Sequence, residues 1–332
     1  MAEINRQVVL ASRPTGAATL DNFQLVENPL PALAEGEIRV RNHFLSLDPY
    51  MRGRMNDAKS YVAPQELGKV MGGGTAGVVV ESRNAHWAVG DHVVGMLGWQ
   101  DYGTSDGAGL MKVDTAHVPL SAYLGVVGMP GVTAWYGLNK IIGPKAGETI
   151  VVSAASGAVG GVVGQLAKRA GCRVIGVAGG AEKCRFVQEE LGFDACLDYK
   201  GDDLVTALGE AAPDGVDGYF DNVGGVTLDA VMLKANPFAR IAACGAIAGY
   251  DGGTVPMRRP ALIVMFRLKI EGFIVSEHME LWPEALRELG GLVASGALKY
   301  RETIAEGLEN APEAFLGLLK GRNFGKQLVR LS

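Results

Sequence analysis

Thr149-Ile150-Val151-Val152-Ser153-Ala154-Ala155-Ser156-Gly157-Ala158-Val159-Gly160-Gly161-Val162-Val163-Gly164 is the stretch whose reading decides the fold. Thr149 to Ala154 is an apolar, β-branched run of strand length. A glycine turn follows at Gly157 to Gly160. Val159, Val162, Val163, Leu166, Ala167 and Ala170 then recur at helical spacing until Gly171 closes the helix. In a strand–turn–helix setting, Ala155-x-Gly157-x-x-Gly160 becomes a form of the dinucleotide fingerprint, with Ala155 where glycine is usual. Gly157 lets the backbone approach a pyrophosphate, and Gly160 lets helix and strand pack closely. The helix N-terminus presents unpaired N–H groups and the positive end of a dipole to the anion. A glycine turn with no ligand is the alternative, and the strand–turn–helix context argues against it.

Working outward, strands are expected at Arg173 to Ala178, Ala195 to Tyr199, Asp217 to Asn222, Arg240 to Ala246 and Glu271 to Ser276. A helix at Ala181 to Leu191 ends at Gly192, and another follows Gly224-Gly225. This alternation predicts right-handed crossovers and a parallel, doubly wound sheet. Upstream, the first ~120 residues predict a β-rich module, with strands over Glu37 to Arg41, Gly77 to Glu81 and His92 to Met96. Gly72-Gly73-Gly74 and Gly90-Asp91 are turn signals. The tail predicts a helix (Pro312 to Leu319), a turn (Gly321 to Gly325) and a strand (Lys326 to Leu331) that rejoins the first module. The expected domains are therefore discontinuous: 1–125 joined by 300–332, and 126–299.

A chain of 332 residues fits two domains at about 150 residues each. Hydrophobic residues at 48% and charged residues at 20% give material for large cores and argue against disorder. Thirty-one basic against 36 acidic residues leave −5, which argues against a nucleic-acid partner. The four cysteines, Cys172, Cys184, Cys196 and Cys244, form no C-x-x-C pair and fit a reducing compartment. The N-terminal Met-Ala-Glu-Ile-Asn-Arg has no basic region ahead of an apolar one, so no signal peptide is expected. The most apolar stretch, Ala261 to Phe266, stops at Arg267 and Lys269, far short of the ~20 residues of a membrane span. The expectation is a soluble cytoplasmic protein with no membrane partner.

The end of the second strand separates two cofactors. An NAD site usually carries Asp or Glu there to accept from the ribose 2′-hydroxyl. This strand runs Val177-Ala178-Gly179-Gly180, with no acid, and Lys183 follows. A lysine there can meet a 2′-phosphate, and the hydroxyl of Tyr199, at the end of the next strand, can join it. The alternative for Lys183 is an exposed first-turn lysine. Asn222 ends a strand before Gly224-Gly225, where an open parallel sheet lines its crevice. Cys244-Gly245 and Phe273-Ile274-Val275 occupy comparable strand ends, their backbone groups facing a nicotinamide carboxamide. The Cys244 side chain itself points to packing rather than chemistry.

A zinc alcohol dehydrogenase needs Cys and His ligands in its first domain and four closely spaced cysteines for a structural zinc. No cysteine precedes Cys172, and His43, His86, His92, His117 and His278 are scattered. No metal site is expected. Without a Lewis acid, hydride transfer to an activated double bond remains open, since it needs a cofactor, orientation and a donor to the carbonyl oxygen. A serine hydrolase lacks support because no G-x-S-x-G elbow occurs.

Several blocks together resemble the zinc-free, NADPH-dependent alkenal/enone reductases of the medium-chain dehydrogenase/reductase superfamily, which include prostaglandin and curcumin reductases. These blocks are Ser46-Leu47-Asp48-Pro49-Tyr50-Met51-Arg52, Gly128-Met129-Pro130-Gly131-Val132-Thr133-Ala134, Ser153 to Gly160, Asp221-Asn222-Val223-Gly224-Gly225, Cys244-Gly245-Ala246-Ile247, Glu271-Gly272-Phe273-Ile274-Val275 and Gly325-Lys326. Where a zinc relative carries Gly-His-Glu, this chain has Gly72-Gly73-Gly74. The resemblance spans essentially the whole chain. It implies an α/β protein with a GroES-like β-rich domain and a Rossmann domain, usually a homodimer joined edge to edge, with Phe273 to Ser276 as a possible edge. It implies NADP(H) contacts at Gly157, Ala158, Val159, Gly160, Lys183, Tyr199, Asn222, Cys244 to Tyr250 (Gly245 included), Phe273, Ile274, Val275 and Asn323. The segment between Gly98 and Met111, with Trp99-Gln100-Asp101-Tyr102, lies where the family commonly shapes its substrate pocket.

The implied reaction is reduction of the double bond of α,β-unsaturated ketones or aldehydes, with hydride received at the β-carbon. Tyr250 is the expected donor to the enolate oxygen, where the cofactor's own ribose hydroxyl is the alternative. Tyr50 is a second donor or one wall of the pocket. For each tyrosine a packing or rim position is the competing reading. A quinone reductase shares the cofactor and fold, and a non-catalytic NADPH-binding protein would keep the same fingerprint. A zinc alcohol dehydrogenase ranks last.

Overall fold

Alternating apolar and polar residues lay down the first sheet. In the computed structural model, which describes residues 3–332, the chain forms two units. One contains the chain up to Gly125, Tyr250–Gly252 and Glu302–Ser332; the other contains Val126–Gly249 and Gly253–Arg301.

The first unit begins with β1 (Ile4–Leu10), antiparallel to β2 (Phe23–Pro29). β3 (Ile38–Ser46) leads into a short helix, α1 (Tyr50–Arg54). β4 (Thr75–Ser82), β5 (His92–Gly95), β6 (Tyr102–Ser105) and β7 (Met111–Lys112) follow. β3 runs antiparallel to both β4 and β6. Ile38 and Val40, the apolar positions of the alternating run, are fully buried beside Val79 and Val93. A larger core gathers Leu10, Leu45, Leu47, Met51, Met71 and Trp99. Trp99, in the segment implied to shape a pocket, is fully buried, stacked on Phe23 at 5.8 Å between ring centroids. Gln100 and Asp101 bond back to Asn5 and Arg6. These bonds tie β1 to this segment.

The second unit opens with α2 (Met129–Tyr136), prolonged by a π-helical turn. β8 (Thr149–Ser153), α3 (Gly160–Arg169), β9 (Arg173–Ala178), α4 (Ala181–Arg185) and β10 (Ala195–Asp198) then alternate. α5 (Leu204–Ala211), β11 (Val216–Asp221), α6 (Gly225–Leu233), β12 (Ala235–Ala243), α7 (Ile247–Tyr250, its last residue counted with the first unit), α8 (Ala261–Phe266), β13 (Lys269–Gly272) and α9 (Trp282–Ala294) complete the run. The six strands lie in the order β10-β9-β8-β11-β12-β13, and every pairing is parallel. The strand order reverses at β8, between β9 and β11, which is the switch point where a doubly wound sheet opens its ligand crevice.

In the parallel sheet, two strands differ from expectation. β12 begins at Ala235 rather than Arg240; within this added stretch Phe238, next to Pro237, takes a positive φ of 68°, and the register with β11 shifts. At its far end the chain leaves the sheet after Ala243. The edge strand is Lys269–Gly272, so Phe273 to Ser276 does not form the edge. Beyond Gly272 the chain turns away into a tight turn at Val275–Glu277.

The chain returns to the first unit with β14 (Glu302–Glu306), α10 (Ala311–Leu319) and β15 (Lys326–Arg330). β15 lies between β14 and β3, antiparallel to β3. Among the described residues, no helix is long and apolar enough to cross a membrane.

Candidate active site

The fingerprint turn is built by close backbone packing. Gly157 N–H donates to the Ala154 carbonyl at 2.9 Å, and the helical ladder begins with Gly161 N–H to the Gly157 carbonyl at 3.0 Å. Ala158, Val159 and Gly160 precede that first rung, where a helix presents its unshared donors. A Cβ at Gly160 would stand 2.4 Å from the Ala154 oxygen. Because that neighbour is backbone, only a shift of strand against helix could relieve the contact. Gly160→Ala should therefore lower stability by about 1–3 kcal/mol and weaken dinucleotide binding. A Tm and an NADPH titration equal to the parent's would contradict this reading of the turn.

The ends of β9 and β10 form the next corner. Tyr199 N–H donates to the Ala178 carbonyl at 3.1 Å, and its ring covers Gly179. Lys183, in the first turn of α4, is half-buried; burial, and then the positive charge of Lys200, lower its pKa. Lys200 carries no local sequence signal and was not among the expected residues. The carboxylate of Asp198 is turned to backbone: it accepts from Gly180 N–H at 2.8 Å and Lys200 N–H at 3.0 Å, and these bonds hold its pKa low. Two lysines that repel each other, beside an exposed phenol, fit a group carrying a 2′-phosphate better than a bare ribose.

At the ends of β11 and β12 a buried polar knot sets the loop geometry. Asp221 Oδ1 accepts from Tyr219 OH (2.7 Å), Gly224 N–H (2.8 Å) and Val223 N–H (3.0 Å). Burial raises the Asp221 pKa, and these donors oppose the rise. Asn222 is held at both ends of its peptide and side chain, with N–H to Ser153 Oγ at 2.9 Å and Nδ2 to the Ser153 carbonyl at 2.8 Å. Cys244 and Gly245 both donate their N–H groups to the Asp221 carbonyl. The Cys244 thiol is pushed up to about 12 by burial and then by Asp221. Burial thus disfavours the thiolate, the nucleophilic form.

Phe273, Ile274 and Val275 follow β13. The Phe273 ring lies 5.3 Å from Tyr136, which stacks on His278 at 4.4 Å and hydrogen-bonds its Nε2 at 2.9 Å. Trp282 Nε1 donates to the Val275 carbonyl at 3.1 Å, so the segment is braced from both sides.

The first unit holds the remaining expected residues. Tyr50 opens α1, and its phenol pKa is raised by burial and then by the charge of Asp48. The turn before it is anchored by Lys326, a buried ammonium donating to the Leu47 carbonyl (2.7 Å), Asp48 Oδ1 (3.0 Å) and the Gln327 carbonyl (3.1 Å). Ser46 Oγ bonds the other Asp48 oxygen. Tyr250 ends α7 and is half-buried. Asn323 donates to the Gly325 carbonyl at 2.8 Å. Tyr50, Tyr250 and Asn323 thus share one unit. Gly157 to Gly160, Lys183, Tyr199, Asn222, Cys244, Gly245 and Phe273 to Val275 share the other.

Residues 6–113 match the family described as the N-terminal domain of oxidoreductase, and residues 158–290 match that described as zinc-binding dehydrogenase. Among the described residues, no three His, Cys, Asp or Glu side chains are grouped so as to hold a metal ion. The NADPH-dependent curcumin reductase of Escherichia coli (strain K12) is 48% identical, over 99% of this chain and 97% of its own. Prostaglandin reductase 1 of Rattus norvegicus is 45% identical, over 95% of each. The crystal structure of CurA in complex with NADPH from Vibrio vulnificus superposes with a TM-score of 0.94 at 48% identity, covering 98% of this chain and 99% of that one. With this fold, this nucleotide corner and relatives matched from end to end, the chain belongs to the zinc-independent, NADPH-dependent medium-chain dehydrogenase/reductases of the curcumin and enone reductase type.

Proposed function

We propose that the protein is an NADPH-dependent oxidoreductase that reduces the carbon–carbon double bond of α,β-unsaturated ketones and aldehydes without a catalytic metal. The observation that carries this reading is the 48% identity to a curcumin reductase along nearly the whole of both chains.

When bound, NADPH supplies the hydride that the β-carbon receives. Gly157, Ala158, Val159 and Gly160 cradle the pyrophosphate with backbone N–H groups. Lys183 and Tyr199 hold the 2′-phosphate, and Lys200 adds positive charge. Asn222, Cys244 and Gly245, at the strand ends, would contact the cofactor, with Asn323 as a further contact. The Ile274 and Val275 carbonyls are engaged by Glu277 N–H and by Trp282 and His278, so the N–H side of Phe273 to Val275 is what that segment offers a carboxamide oxygen. Tyr250 donates a hydrogen bond to the substrate carbonyl as negative charge gathers on its oxygen. A neutral phenol can donate this bond without adding charge. Tyr50, kept protonated by burial, is a wall of the pocket or a second donor. The α-carbon then takes a proton, giving the saturated ketone.

In this reading the working domains are 1–125 with 300–332, and 126–299. The protein acts as a homodimer in the cytoplasm, which light scattering on the purified protein checks for the dimer. The test of the activity is a screen of NADPH and NADH oxidation against enals, enones, diarylheptanoid diketones and quinones. Turnover of enones with NADPH is expected. Preference for quinones, or tight NADPH binding with no turnover on the panel, would overturn the proposal.

A further inference from the structure

Tyr250 is one residue from Asp251, and Asp251 is held unusually firmly. Arg52 Nε donates to its Oδ1 at 3.0 Å, and the Ala18 N–H donates to the same oxygen at 2.8 Å. The Arg52 side chain is only 2% exposed. Its other nitrogens are occupied as well: Nη1 by Asn56 Oδ1 at 2.8 Å, and Nη2 by the Gly16 carbonyl at 2.5 Å. The guanidinium therefore joins three pieces of chain, namely α1, the loop at Gly16 to Ala18, and the segment Tyr250 to Gly252. The backbones close the same junction. Gly252 has φ +90°, and a Cβ there would stand 3.0–3.3 Å from the Gly16 backbone.

A hydrogen bond to a developing oxyanion is valuable only if the donor is already in place. Tyr250 sits at the last residue of a four-residue helix, α7, too short to be rigid on its own. Tyr50 lies two residues before Arg52 on α1. One buried guanidinium thus ties the chain at both candidate donors.

We propose that Arg52 and Asp251 are positioning residues for the reaction. Their ion pair fixes the Tyr250 hydroxyl at the carbonyl oxygen of an enone, and neither touches substrate or cofactor. The proposal rests on the reading of Tyr250 as the donor.

The test is a double-mutant cycle in kcat on 4-phenylbut-3-en-2-one, using the parent, Asp251→Ala, Tyr250→Phe and the double variant. Asp251→Ala should lower kcat about tenfold to a hundredfold in the parent and have little further effect once Tyr250 is phenylalanine. A purely structural role would lower kcat by the same factor in both backgrounds, and that result overturns the proposal. A loss of NADPH affinity by fluorescence titration that accounts for the whole fall would also overturn it, assigning the pair to cofactor binding. If Tyr250→Phe alone leaves kcat unchanged, the donor reading fails first and the proposal falls with it. Should Asp251→Ala not fold, Asp251→Asn keeps the shape and the acceptor for Ala18 but removes the charge, and the same cycle applies. Additivity there is equally fatal.

Discussion

Tyr250→Phe is expected to lower kcat on an enone by about 10²- to 10³-fold, the usual consequence of removing one donor from a developing oxyanion. The substitution takes away one hydroxyl and keeps the ring, so packing at the end of α7 is conserved. NADPH affinity should change far less than turnover, because the lost bond forms mainly as charge reaches the carbonyl oxygen. Stopped-flow oxidation of bound NADPH with and without enone separates the two quantities. Substrates whose carbonyl is a weaker acceptor should show a smaller penalty. Unchanged turnover across several enones would remove Tyr250 from the chemistry and leave the ribose hydroxyl or Tyr50 as donor.

Lys183→Ala should weaken NADPH by about 10- to 150-fold, the equivalent of ~1.5–3 kcal/mol for a charge-assisted bond, and leave NADH within about twofold. The enzyme would lose its preference rather than its activity. A pH dependence follows from the same lysine. Burial, then Lys200, lower its pKa in the free protein, and a bound phosphate favours the protonated form. NADPH affinity is therefore full on the acid side of that lowered pKa. It is lost as pH rises through it, earlier than for an ordinary lysine near 10.4. NADH affinity should not follow this fall, and Lys183→Ala should flatten the curve. Parallel losses for NADH and NADPH would place the 2′-phosphate elsewhere.

The strand, turn and helix that carry the proposed nucleotide site were legible because their signals are local. A strand, a glycine turn and a helix within Thr149 to Ala170 announce the fingerprint, and the missing acid after Ala178 points to a phosphorylated ribose. The rest depends on tertiary neighbours. Lys200 joins Lys183 only when β9 and β10 pair, and the knot on Asp221 needs Ser153 from another strand. Arg52 and Asp251 meet across 199 residues of sequence, which no periodicity can report. The start of β12 was hidden behind Pro237, and the apolar run after Gly272 read as strand although it curls away from the edge. Trp99 shows the opposite limit. The resemblance implied that its segment shapes a pocket, whereas its indole is enclosed between Phe23 and Phe315.

The central claim is that hydride reaches the olefinic β-carbon of a conjugated carbonyl. It is tested most directly by turning over an enone with NADPH doubly deuterated at its hydride-donating carbon and locating the label by NMR. One deuterium on the β-carbon of a saturated ketone, with a solvent proton on the α-carbon, is the predicted result. Deuterium on the carbonyl carbon of an allylic alcohol would contradict it.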